Sequence, residues 1–480
     1  MTDYDTLYLG GAWKAPSSAA RITVVSPSTE QRIGSLPEAV EDDIDAAVGA
    51  ARSAFDDPAG WPAWDPARRA GVMERLADEM DKRSAAMAPL VSSQNGMPVA
   101  ISGALEVVFP QLLLRYYAGL ARQTPADEER PGLLGGSTLV RRLPVGVCAA
   151  IVPWNFPQAL AAFKYAPALA AGCTLVIKPS PETALDSYLL AESLQAAGVP
   201  DGVINIVPAG REVGAYLVQH PGIDKVAFTG STAAGRSVAE ACGRLLRPVT
   251  LELGGKSAAI VLDDASLDLA VIGEKLFAAL LLNQGQACYL GTRVLAPRSR
   301  YEEIVELLTA FASMLKVGDP LDPATQIGPL ASERQRDRVE GYIAKGKSDG
   351  ARVTTGGGRP AGMSRGFYVE PTVFADVDNG WTIAQEEIFG PVLSVIGYSG
   401  DAEAVAIANG SGYGLGGTVW TSDHDRGLAV ATKIKTGTIG INGYLPDPAA
   451  PFGGVRASGI GRELGPEGLA AYQAQQSVYL

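Results

Sequence analysis

Val145-Gly-Val-Cys-Ala-Ala-Ile-Val152 runs into Pro153-Trp-Asn-Phe-Pro157 and then into an alanine-rich stretch over 158–171, and this order decides the fold. The same alternation repeats downstream. Strand-like 174–177 precedes helix-like 184–197, 203–207 precedes 212–219, and 225–228 precedes 233–243. Strands alternating with helices imply βαβ units and a parallel sheet. Ligands of such sheets bind beyond the carboxyl ends of the strands, so chemistry is sought in the turns that follow them. The first turn holds an amide, Asn155, between two prolines. The second, Lys178-Pro-Ser-Pro-Glu182, sets a cation and a carboxylate at a helix start. The fourth, Thr229-Gly-Ser-Thr-Ala-Ala-Gly235, is a small-residue turn opening a helix, whose free N–H groups suit a phosphate, although it is not the GxGxxG fingerprint.

Toward the N-terminus, residues 21–26 read as a strand and 41–55 as a helix with acids in its first turn. Two further helices fit 65–94 and 98–120, with Trp61 and Trp64 as packing residues. The polar, proline-bounded segment 123–132 reads as a break, its run Asp127-Glu-Glu-Arg130 a solvated turn. A strand over 137–142 follows, and the segment suits either a linker or an arm pairing with a neighbouring subunit.

Toward the C-terminus, Thr250-Leu-Glu-Leu-Gly-Gly-Lys-Ser257 puts Glu252 near a strand end beside two glycines. Burial raises a carboxyl pKa toward neutrality, as a general base requires. Asn283-Gln-Gly-Gln-Ala-Cys288 is a polar turn after an apolar segment, and it fixes a thiol that can act as a nucleophile. A second α/β portion continues with helices near 301–315 and 332–347 and a rigid acidic-aromatic turn, Gln385-Glu-Glu-Ile-Phe-Gly-Pro391. Strand-helix-strand units then lead to a glycine- and proline-rich loop over 442–462 and a final strand over 476–480.

A chain of 480 residues is too long for one core and divides into two or three domains. The net charge of -12 disfavours nucleic acid or an anionic membrane as main partner. Cys148, Cys173, Cys242 and Cys288 are scattered, the first three within apolar patterns that read as inert core. With only His220 and His424, neither a zinc site nor a Ser-His-Asp triad is expected. The first residues show no signal peptide, and 145–176 is broken by prolines and Lys164, so a cytoplasmic protein without a membrane span is expected.

Pro153–Pro157, Phe228-Thr-Gly-Ser-Thr232, Glu252-Leu-Gly-Gly-Lys256, Gly285-Gln-Ala-Cys288 and Glu387-Ile-Phe-Gly-Pro391 together resemble the NAD(P)-dependent aldehyde dehydrogenase superfamily, in family order over essentially the whole chain. The resemblance implies a Rossmann-like cofactor domain (1–121 and 144–252), an α/β catalytic domain (253–463) and a small β oligomerisation arm (122–143 with 464–480) in a homodimer or homotetramer. It implies that Cys288 attacks an aldehyde, that Asn155 and the Cys288 N–H form the oxyanion hole, and that Glu252 activates water against a thioester. For NAD it puts Lys178 on the adenosine ribose, Ser231 on the pyrophosphate, Glu387 on the nicotinamide ribose and Phe389 against the nicotinamide. Gln335 and Arg338 fall in the ribose region, and Ile151, Trp154, Gly210, Gly230, Leu253 and Gly254 complete the cofactor contacts. No metal is implied. Glu463 matches a glutamate proposed in relatives as a proton relay, a charge at a helix start being the plainer reading.

One departure concerns the cofactor. Many NAD-preferring relatives carry Glu three residues after the lysine; here that residue is Pro181 and the carboxylate is Glu182. NAD is still expected, since no arginine stands near to receive a 2′-phosphate, with NADP as the alternative. Phe156, Leu160, Phe163, Tyr289, Tyr444 and Phe452 fall where relatives line the aldehyde tunnel and favour a medium-sized apolar or aromatic aldehyde. The alternatives are a betaine-aldehyde enzyme, if the aromatic residues cage a quaternary ammonium, a semialdehyde dehydrogenase, and a non-catalytic structural relative.

Overall fold

The structure, a computed structural model, describes residues 2–480. Val147–Ile151 lies at the middle of an eight-stranded sheet. Its neighbours Thr174–Lys178 and Lys225–Thr229 run parallel to it, Ile204–Ile206 extends one side, and Val249–Glu252 extends the other. Register aligns Ile151 with Lys178 and Phe228, and Thr229 with Glu252, so the residues singled out above end their strands along one edge. Both faces are covered, as a parallel sheet requires. Cys148 and Ala150 face a core built with Pro66–Asp81, Phe109–Gln123 and the fully buried helix Pro157–Ala171, while Val147, Ala149 and Ile151 face Glu41–Asp56, Arg211–Gln219 and Thr232–Arg244.

The second sheet has seven strands, in the order Arg352–Thr355, Thr372–Ala375, Val392–Tyr398, Arg293–Pro297, Ala258–Val261, Gly417–Trp420 and Gly440–Ile441. All pairs but the first are parallel. A third, antiparallel sheet joins Asp127–Pro131, Ser137–Pro144 and Gln473–Tyr479.

Several expectations are corrected. The run Asp127-Glu-Glu-Arg130 is not a turn but an edge strand, and its Glu128 is paired with Arg130 along the strand and with Arg142 across the hairpin. The helix expected over 65–94 is two, Pro66–Asp81 and Ser84–Asn95. The helix expected over 98–120 extends as Val99–Gln123 and widens over Gly103–Val108. By length and composition Val99–Gln123 could cross a membrane; here its Leu113, Leu114 and Tyr117 pack in the first core. The glycine-rich segment 442–462 ends in Gly459–Ile460, which adds an antiparallel strand to Val249–Glu252 in the first sheet. Gly459 permits this approach, since a Cβ there would stand 2.0 Å from the Leu251 carbonyl oxygen. Cys148, Cys173 and Cys242 are buried as expected.

Candidate active site

Cys288 ends a turn of unusual backbone. After the helix Leu269–Leu280, residues Asn283, Gln284 and Gly285 all take positive φ, at +50°, +54° and +76°. Two consecutive non-glycine residues there are costly and persist only when their surroundings hold them. Buried amides do this: Gln284 Nε2 donates to the carbonyls of Gly96 at 3.0 Å and Pro329 at 3.1 Å, and Ala331 N–H donates to Gln286 Oε1 at 3.0 Å. Gly285 is required by proximity as well, because a Cβ would lie 2.1 Å from the Gly390 carbonyl. The thiol turn and the turn Glu387–Pro391 are thus in backbone contact. Gly255 approaches equally closely, its Cβ position 2.3 Å from the Cys288 carbonyl.

Asn155 sits between Val147–Ile151 and Pro157–Ala171, and its Nδ2 donates to the Gln286 carbonyl at 2.9 Å. Asn155, Glu252 and Cys288 line one cavity of about 520 Å³. Burial, with the Glu387 and Glu252 carboxyls beside it, holds the Cys288 thiol well above its usual pKa. Glu252 is the last residue of its strand and 2 % exposed, and neither carboxyl oxygen has a hydrogen-bond partner among the described residues. Its pKa is raised well above the carboxylate range, by burial first and by Glu463 second, against Lys164 and Arg462. Glu463 does stand at a helix start, two residues before Gly465–Ala470, but it is not exposed. It is buried in an ion pair with Lys164 Nζ at 2.9 Å, and Lys164 also donates to Thr229 Oγ1 at 2.6 Å. No site role is legible in sequence for Lys164, seen there only as a break in an apolar stretch, or for Thr229, the first residue of a small-residue turn.

A second cavity of about 640 Å³ shares Trp154, Gly230, Ser231 and Arg334 with the first. Ile151, Lys178 and Gly210 line it, and Leu253, Gly254, Gln335, Arg338, Glu387 and Phe389 line the first, so every residue in the expected cofactor set is brought to one groove. Lys178 is 6 % exposed, donates to the Ala209 and Pro179 carbonyls at 2.7 and 3.1 Å, and is lowered to about 8 by burial, against Glu182 and Glu38. Ser231 caps Thr232–Arg244, accepting from Ala234 N–H at 3.3 Å. Glu387 accepts from Gly255 N–H at 2.9 Å and is raised to about 7 by burial, against Gly255, Arg338 and Lys256. Phe389, at φ +60°, meets Trp154 edge to face at 5.3 Å. Gln335 and Arg338 support this turn through its backbone, donating to the Phe389 carbonyl at 2.7 Å and the Glu387 carbonyl at 2.6 Å. A helix N-terminus, a buried cation and close-set glycines at 214, 230 and 254 make a cradle that fits an extended phosphate-bearing dinucleotide: a Cβ at Gly254 would stand 2.5 Å from Glu387 Oε2, and one at Gly230 2.7 Å from the Phe228 ring.

The expected absence of a nearby arginine is corrected. Arg211, Arg244 and Arg334 line the Lys178 cavity, and Arg334 reaches Glu182 Oε1 at 3.5 Å. Arg211 directly follows Gly210 at a helix start, a position the topology could have flagged.

Four of the aromatic residues expected to line the aldehyde tunnel form one row, while Phe156 and Leu160 are buried in the same core. Tyr289 stacks on Tyr444 at 4.5 Å, and Phe452 meets Phe163 at 6.0 Å and Tyr289 at 6.5 Å. Phe109, not foreseen, extends the row against Phe163 at 5.9 Å. A larger depression of about 920 Å³ lies at the carboxyl ends of the second sheet, away from these groups; its Glu303 and Asp376 pair with Arg300 and Arg352.

The sequence profile of the Aldehyde dehydrogenase family matches residues 13–478. The chain is 56% identical to a geranial dehydrogenase of Castellaniella defragrans over 478 residues, covering 100% of this chain and 99% of that one. An aldehyde dehydrogenase of Mycobacterium tuberculosis, solved with NAD+, superposes with a TM-score of 0.97 at 49% identity over 100% of this chain and 98% of that one. A mutant aldehyde dehydrogenase C of Pseudomonas syringae, solved with NAD+ and octanal, gives 0.95 at 39% identity over 99% and 96%.

Proposed function

The chain belongs to the aldehyde dehydrogenase family, and on that premise we propose that it oxidises a medium-sized apolar aldehyde to its carboxylic acid with NAD. The observation that carries the reading is the convergence of Cys288, Asn155 and Glu252 on one cavity beside Glu387 and Phe389, with an aromatic row behind the thiol. The thiolate of Cys288 adds to the aldehyde carbon. The Asn155 amide and the Cys288 N–H donate to the oxygen on which charge develops, donors worth on the order of a hundredfold or more in turnover. NAD, when bound, supplies the acceptor for the aldehyde hydride. Glu252 then takes a proton from the water that opens the Cys288 thioester, and the acid leaves. Its buried, unpartnered carboxyl suits this duty, because a carboxyl with a raised pKa is a stronger base once ionised. Lys178 and Ser231 hold the adenosine and pyrophosphate portions; Glu387, steadied by Gln335 and Arg338, holds the nicotinamide ribose.

The aromatic row supports an apolar substrate, as do a relative named for geranial and another solved with octanal. NADP is a second cofactor reading, favoured by Arg211 and Arg244 in the Lys178 cavity. The proposed division is 1–121 with 144–252 for cofactor, 253–463 for chemistry, and 122–143 with 464–480 for assembly into a homodimer or homotetramer. Leu133, Leu134 and Tyr479 support that last assignment, as exposed apolar side chains on the third sheet and its hairpin tip. Four free thiols suit a reducing, cytoplasmic compartment.

The test is reduced-cofactor formation with geranial, hexanal, benzaldehyde, betaine aldehyde and succinate semialdehyde, each with NAD and NADP. Turnover of the apolar aldehydes with NAD is expected. A strong preference for succinate semialdehyde or betaine aldehyde overturns the substrate class, and silence with every pair overturns the activity.

A further inference from the structure

Asn155 belongs to a loop without regular structure, yet the proposed oxyanion donor must be held within a fraction of an ångström. Two buried side-chain amides from separate segments converge on its main-chain carbonyl: Asn95 Nδ2 at 3.2 Å and Asn283 Nδ2 at 3.1 Å. A carbonyl oxygen has two lone pairs, and both are used. Asn95 is the last residue of the helix Ser84–Asn95; its Oδ1 accepts from Met97 N–H at 2.9 Å, and its Nδ2 also lies 3.4 Å from the Trp154 carbonyl. Asn283 is the first of the left-handed residues leading to Cys288, and asparagine tolerates that conformation well. The two clamping segments are themselves joined where Gln284 donates to the Gly96 carbonyl. Asn95 is 1 % and Asn283 0 % exposed, so neither amide has water as a substitute partner, and releasing either leaves a buried donor unpaired.

We propose that Asn95 and Asn283 are positioning residues that clamp the Asn155 peptide, so that its side-chain amide is fixed against the Cys288 turn before an aldehyde arrives. The inference rests on the reading of Asn155 as an oxyanion donor. The clamp explains why the Asn155 side chain meets the Gln286 carbonyl at 2.9 Å, two residues before the thiol, although the two segments lie 131 residues apart. A donor held this way stabilises developing charge without reorganising during the reaction.

The test is a double-mutant cycle between Asn95→Ala and Asn155→Ala, read as kcat alongside the NAD dissociation constant. Asn95→Ala is expected to lower kcat by about 100-fold, the scale of a small misplacement of a catalytic group, with NAD binding unchanged. In the Asn155→Ala background the same change is expected to add less than about twofold, the error of simple additivity. Asn95→Asp keeps an acceptor for Met97 N–H but replaces the donor facing Asn155, and should be as impaired as Asn95→Ala. Wild-type kcat in both Asn95 variants, or losses that multiply in the Asn155→Ala background, would overturn the clamp while leaving the proposed function standing. Full turnover by Asn155→Ala itself would remove the oxyanion reading and the clamp's catalytic role with it.

Discussion

The two large, mainly parallel sheets offer opposite ends to the same groove. From the first come the carboxyl ends: Ile151, Lys178, Thr229 and Glu252 terminate adjacent strands. From the second come the amino ends, for Gly254 and Gly255 lead into Ala258–Val261, Cys288 into Arg293–Pro297 and Glu387–Pro391 into Val392–Tyr398. The first sheet obeys the rule that open α/β sheets bind ligands beyond their carboxyl ends. The second departs from it, leaving a mostly charge-paired depression at its carboxyl ends. The edge proposed to bind the cofactor is supplied by topology, whereas the proposed nucleophile is placed by a strained turn braced from several sides.

The largest effect should come from the second sheet's amino end. Cys288→Ala is expected to take aldehyde oxidation below detection while NAD still quenches protein fluorescence; if binding were lost too, the two sheets would not be separable as cofactor and chemistry. Next, Glu252→Gln at the first sheet's carboxyl end should keep an initial burst of reduced cofactor but slow steady turnover by on the order of 10²–10⁴-fold, the usual worth of a general base. A variant deacylating at the wild-type rate would transfer the duty to the buried Glu463.

The same contrast explains what could be read in advance. The first sheet was legible because 145–243 alternates short apolar strands with helices, and because Asn155, Lys178 and Ser231 fall in the turns where topology puts ligands. Cys288 offers only the weak signal of a thiol in a polar turn, and Glu387 and Phe389 that of a rigid acidic-aromatic turn; motif resemblance is what assigned them roles. Asn95 and Lys164 were illegible, since a polar residue at a helix end or inside an alanine-rich helix looks ordinary until tertiary packing buries it. Asp127–Pro131 was missed because an edge strand of charged residues has the composition of a turn, and charge is how exposed edges avoid unwanted pairing. Arg211 was overlooked because proximity to Lys178 was judged along the chain, while the fold brings it there through the helix Arg211–Gln219.

Smaller effects refine the comparison. Gly285→Ala combines a strained positive φ with a clash against the Gly390 carbonyl and should lower stability by roughly 1–3 kcal/mol, seen as a reduced melting temperature together with reduced kcat. Retained kcat would mean that the thiol turn tolerates separation from Glu387–Pro391. The pH response should separate the chemistry from cofactor binding more gently. Cys288 and Glu252 have raised pKa values, so their reactive ionised forms grow as pH rises, and kcat should increase from neutral into alkaline solution. Lys178, lowered to about 8, is a cation below that pH and loses its charge above it, so KM for NAD should rise over the same interval. A Lys178→Met variant should lose that rise in KM and keep the rise in kcat.

The most direct measurement is mass spectrometry of Glu252→Gln quenched during its burst with NAD and an apolar aldehyde. The account predicts one adduct, of the aldehyde's mass less two hydrogens, on the peptide carrying Cys288, formed in step with reduced cofactor. Reduced cofactor without that adduct, or with the acyl group on Cys148, Cys173 or Cys242, would contradict it.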